Sequence, residues 1–97
     1  MQIKFPHKTT KDAAIARIKQ MLDENRSKIA ENATDVKEEW NDNVLSYAFR
    51  AQGQRIEGTL TVTDTDFEIY AKLPLALRLF EGTIQRMIES EVQKLGV

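Results

Sequence analysis

VLSYAFRAQGQRIEGTLTVTDTDFEIYAKLP, residues 44–74, decides the fold. Apolar side chains recur at every second position in three runs: Leu45, Tyr47, Phe49 and Ala51; Ile56, Gly58, Leu60 and Val62; Phe67, Ile69, Ala71 and Leu73. A period of two is that of a strand with one face buried and the other wet. Gln52-Gly53-Gln54 and Thr63-Asp64-Thr65-Asp66 separate the runs, and their composition is that of tight turns. Three strands joined this closely form an antiparallel meander with one apolar face, which something must cover.

The cover begins at Leu73-Pro74, where the period lengthens to that of a helix. Leu77, Phe80, Ile84, Met87, Ile88, Val92 and Leu95 share one broad side, expected to clamp the sheet. Glu91 intrudes on that side, which fits a fraying end of the chain. Leu75 and Leu79 project almost opposite, beside Gly82, Thr83 and Arg86. Fully burying a leucine is worth about 1.5–3 kcal/mol, so two left in water call for a covering surface. Leu75, Leu79 and Phe80 are therefore the candidate contact residues, facing a second copy of the chain or an apolar particle. The alternative is that residues 74–79 are not yet helical and tuck under the sheet.

Upstream, Ile3 and Phe5 alternate with Gln2 and Lys4 in a short strand that Pro6 ends. Thr9 is placed to cap a helix running from Thr10 to Ala33, with Asp12 near its positive end. Ala14, Ile15, Ile18, Met21, Leu22, Ile29 and Ala33 form its apolar stripe, and Asn25 falls inside the stripe, where its side chain is expected to bond a nearby backbone group or to lie at the stripe's margin. Val36 to Trp40 reads as a charged strand suited to a sheet edge, and Asn41-Asp42-Asn43 as the hairpin turn after it. With the first strand beside the last, every neighbour is antiparallel. The expected fold is α+β, a single domain over residues 1–97 in the order β-α-β-β-β-β-α. Its five-stranded antiparallel sheet has spatial order 2-3-4-5-1 and carries both helices on one face, a miniature helix-grip.

Composition narrows the function. The chain has 97 residues, enough for one core, and a formal net charge of -1 with acids and bases interspersed. Nucleic acid is a poor partner for such a surface, since phosphate binding needs clustered cations. The chain has no cysteine, so disulfide and thiol chemistry are excluded, in keeping with a reducing compartment. No leader-like start and no transmembrane run is visible, and a cytoplasmic location is expected.

Chemistry is equally sparse, and neither an enzyme nor a cofactor is expected. One histidine cannot build a metal site by itself, and Asp64 and Asp66 lack the glycine and distal glutamate of a calcium loop. His7 is the natural candidate for proton transfer, but its place between a strand and a helix start suits a local hydrogen-bonding role better. A hydrolase or isomerase built on it would need a carboxylate beside the ring. Ser27, Ser46 and Ser90 lack a nucleophile-elbow context, and Glu38 and Glu39 must face opposite sides of any strand. Trp40 reads as core or rim packing.

The pattern as a whole resembles a known family. Ile3-x-Phe5-Pro6-His7 precedes a capped helix containing Ala13 and Ala14, and Trp40-Asn41-Asp42 opens a hairpin. Gly58-Thr59-Leu60-Thr61-Val62 and Phe67-Glu68-Ile69 then run into Leu73-Pro74-Leu75 and Phe80-Glu81-Gly82-Thr83-Ile84. Over almost its whole length the chain is similar to the small bacterial family of polyhydroxyalkanoic acid system proteins. It departs at Asn41-Asp42-Asn43, where a glycine would be expected in the hairpin. The resemblance implies a role in polyester storage and carries over no catalytic residue. The expected function is thus a non-catalytic accessory of polyhydroxyalkanoate metabolism. It would act through contact with the granule, a granule-associated protein, or a second copy bound at the start of the C-terminal helix. The alternative is a helix-grip that holds an apolar ligand in a chamber walled by Tyr47, Phe49, Leu60, Ile69 and Ile84.

Overall fold

A computed structural model describes all residues, Met1–Val97. The strands are β1 (Gln2–Pro6), β2 (Thr34–Asn41), β3 (Val44–Ala51), β4 (Gln54–Val62) and β5 (Asp66–Lys72). The helices are α1 (Lys11–Glu24), α2 (Arg26–Asn32), α3 (Leu75–Arg78) and α4 (Glu81–Lys94). The strands form one antiparallel sheet in the order β1-β5-β4-β3-β2, as the alternation requires.

Register assigns the faces. Ile3 pairs with Ile69, Ile69 with Leu60, and Leu60 with Leu45, so one apolar row crosses four strands. The adjoining row joins Phe5, Phe67 and Val62. Ala14 and Ile18 of α1 and Leu95 just beyond α4 close on Leu45, Leu60, Val62 and Phe67, with Val92 packed against them. Both helices therefore meet the same face. The other face is mainly polar. Ala48 is buried there, in the row between Lys37 and Glu57.

The turns use left-handed backbone where short polar residues or glycine allow it. Asp42 has φ 55° in the β2–β3 hairpin, the conformation a glycine would otherwise supply. Gln52 and Gly53 have φ 53° and 76° in the next hairpin, the primed turn that matches strand twist. Asp35, at φ 52°, sits at an irregularity between Thr34 and Lys37 that disrupts the exposed edge of β2.

Both expected helices are interrupted. The run from Thr10 to Ala33 divides at Asn25, whose Nδ2 donates to the carbonyl of Met21 at 2.7 Å and whose ψ of 13° turns the chain out of helix. A short amide that competes for the backbone breaks the helix at that point. Thr10, one residue later than expected, is the cap: its hydroxyl accepts from the Ala13 N–H at 3.1 Å. The C-terminal run divides at Leu79–Phe80, leaving α3 as a single turn. Its apolar side is also narrower than the sequence implies. Ile84, Ile88 and Val92 are half-buried, whereas Phe80 and Met87, expected in the clamp, face solvent. Glu91 is exposed too, and its Oε1 accepts from Lys94 Nζ at 3.2 Å.

Gly58 occupies the tightest place in the sheet. A Cβ there would lie 2.0 Å from the Tyr70 carbonyl oxygen and 2.7 Å from the Tyr47 hydroxyl. The Gly58→Ala substitution is expected to destabilise by about 3 kcal/mol, lowering the urea midpoint or preventing folding. Gly82→Ala is the control: its Cβ meets only Arg86 Nη1, at 3.8 Å, and should gain up to about 1 kcal/mol.

Candidate functional site

The candidate contact surface is exposed where it was expected. Leu75 is 78% and Leu79 90% accessible, with Phe80 at 57%. Met87 joins them at 64%, a residue the sequence reading assigned to the core. The local cause is the break after α3. Pro74 starts the turn, the Phe80 N–H closes it on the Leu77 carbonyl at 3.0 Å, and α4 begins at Glu81. Only Leu77 of the turn is half-buried, so Leu75 and Leu79, four apart, stand away from the sheet on the opposite side. Phe80, at the start of α4, and Met87, within it, are the other large apolar residues exposed in this segment.

His7 is placed as a structural residue. It is 6% exposed, its Nε2 lies 2.8 Å from the Thr63 carbonyl oxygen, and its Nδ1 accepts from the Thr9 N–H at 3.3 Å. Those partners specify the neutral ring with its proton on Nε2. The ring also packs against Phe67, centroids 5.1 Å apart. Two backbone groups thus take both nitrogens, and neither partner is the carboxylate a hydrolase would need. The other titratable candidates are dispersed. Glu38 is engaged by Arg26, whose guanidinium is held more firmly protonated by that hydrogen bond and by a second to Asp23. Glu39 lies on the opposite face, opposite Ser46 in the register. Asp66 belongs to a turn organised by Thr63, whose Oγ1 accepts from the Asp66 and Thr65 N–H groups. No three His, Asp or Glu side chains converge as metal ligands would. Trp40 packs at the rim of the core, with Lys19 Nζ 5.2 Å from its ring centre.

Two open depressions mark the surface. One, of about 450 Å3, runs over the uncovered sheet face and is lined by Lys37, Glu39, Glu57, Tyr70 and Lys72 among others. The second, of about 300 Å3, lies where α2 and β2 approach the β3–β4 hairpin. Of the five residues expected to wall a ligand chamber, only Tyr47 borders either. Leu60 and Ile69 instead pack with Ala14, Ile18 and Leu95. The Tyr47 hydroxyl crosses Gly58 to donate to the Tyr70 carbonyl at 2.9 Å, and burial pushes its pKa from 10.0 up to about 12.

Fold and surface together define a class: a small open-sheet α+β domain whose helical layer leaves a ridge of leucines, Phe80 and Met87 in solvent. A family described as "Putative polyhydroxyalkanoic acid system protein" matches residues 1–95. The chain belongs to that family. Neither a curated protein nor a solved structure matches it.

Two outcomes follow for the buried polar groups. His7→Ala leaves the Thr63 carbonyl without its donor and should cost about 1–3 kcal/mol in thermal or urea unfolding. Because the fold favours the neutral Tyr47 phenol, that stabilisation is complete below pH 10.0 and lost as pH rises toward about 12. Alkaline spectrophotometric titration should show this late phenol in the wild type and lose it in Tyr47→Phe.

Proposed function

We propose that this protein is a non-catalytic accessory of polyhydroxyalkanoate storage that acts by laying the Leu75, Leu79 and Phe80 ridge against the granule. The observation that carries the reading is the exposure of both leucines in a chain whose family is defined by a polyester system. Leucines scattered singly over a surface need no explanation; two a helical turn apart, continued by Phe80 and Met87, form a patch with a use. A polyester surface is apolar, extended and without fixed pockets, and a low ridge suits it better than a cleft would. A cytoplasmic location accompanies this role, and no helix is long and apolar enough to cross a membrane. A second copy of the chain is the competing occupant of the ridge.

Co-sedimentation with isolated polyester granules tests the reading. The Leu75→Ser, Leu79→Ser double variant should pellet roughly tenfold less than the wild type, with an unchanged circular dichroism spectrum. Equal pelleting, or none by either protein, would count against the ridge. If the ridge closes on a second copy instead, the wild type sediments as a dimer that the double substitution splits.

A further inference from the structure

The arginines of this chain divide in a way that bears on what the ridge meets. Of the six, Arg26, Arg50 and Arg55 pair with carboxylates, and Arg17 donates from Nε to the Leu95 carbonyl at 3.1 Å. The two with neither a carboxylate nor a backbone carbonyl as partner are Arg78 and Arg86. Both are exposed, and they are the two that adjoin the exposed apolar residues: Arg78 stands next to Leu79, and Arg86 next to Met87. Arg86 makes only a 3.3 Å contact to the Thr83 hydroxyl on its own helix. Within residues 75–87 the single acid, Glu81, lies 3.3 Å from the amino group of Met1. Glu89 and Glu91 follow farther along α4, and Lys94 takes the latter. The ridge is therefore apolar and locally cationic in a chain whose net charge is -1.

Exposed leucine, phenylalanine and methionine beside unpaired arginines are the features of a segment that lies in a lipid interface, apolar groups in the acyl boundary and cations among acidic headgroups. A neutral polyester offers the two guanidinium groups carbonyl acceptors but no negative charge to pair with. We propose that the ridge docks on an anionic lipid surface, with Leu75, Leu79, Phe80 and Met87 entering it and Arg78 and Arg86 taking the headgroup charge. This inference rests on the ridge being the contact surface, as argued above, and names the chemistry of what it touches.

Flotation with phosphatidylcholine vesicles, with and without phosphatidylglycerol, tests it on the full chain. The wild type should float with the phosphatidylglycerol vesicles, stay behind with phosphatidylcholine alone, and be released by salt. Arg78→Gln with Arg86→Gln should weaken binding about 25-fold, roughly fivefold for each cation near the surface. Leu75→Ser with Leu79→Ser should abolish it, while Lys37→Gln, on the opposite sheet face, should leave it unchanged. Equal flotation with both vesicle types, or no effect of the arginine substitutions, overturns the charge recognition. No flotation by a wild type that still pellets with granules in a leucine-dependent way overturns the lipid inference and leaves the granule contact standing. Failure in both assays removes both.

Discussion

The helical layer depends on how α4 is tied down at one end. Leu95 is 4% exposed among Ala14 and Ile18, and the carbonyl of the same residue accepts from Arg17 Nε. Side chain and main chain of one residue thus join the last helix to the first. Ahead of this anchor, Val92, Ile88 and Ile84 are only half-buried. α4 turns only a narrow stripe inward, and the exposed residues fall on the separate turn α3, on the break after it and on the outer side of α4.

A second constraint fixes the sheet beneath. The row Ile3, Ile69, Leu60 and Leu45 holds register because a slip of one residue would turn each of these side chains to water. Gly58 lets β4 and β5 approach until only a bare Cα fits, and the Tyr47 hydroxyl takes the space above it. Where a helix-grip would keep room between helix and sheet, Leu60 and Ile69 are already in contact with α1 and Leu95.

Strand order and the shared helical face were legible in the sequence because both follow from parity: alternation sets the faces, and short turns set the neighbours. The interruptions at Asn25 and Phe80 were not, because periodicity reports the average phase of a run and not the one residue at which it resets. Asn25 was visible as a polar intruder in the stripe, yet nothing in its spacing says that its amide would take the Met21 carbonyl and end the helix. Leu75 and Leu79 are exposed, as their place off the stripe implies whether or not the helix is continuous. Phe80 and Met87 were misplaced in the clamp because a helical wheel has no knowledge of how wide the opposing sheet is.

That last failure bears on function. Phe80 and Met87 are residues a core would accept, and their exposure comes from geometry and not from a polar sequence. A chain under no demand for surface contact could replace Leu75 and Leu79 with polar residues and lose no packing, since neither touches the core cluster. Keeping four apolar side chains in water makes self-association and aggregation easier, a standing cost for a small domain. The cost is offset if the ridge is covered where the protein works. Unpaired arginines beside it work in the same direction, since they discourage two ridges from closing on each other while favouring a negatively charged surface.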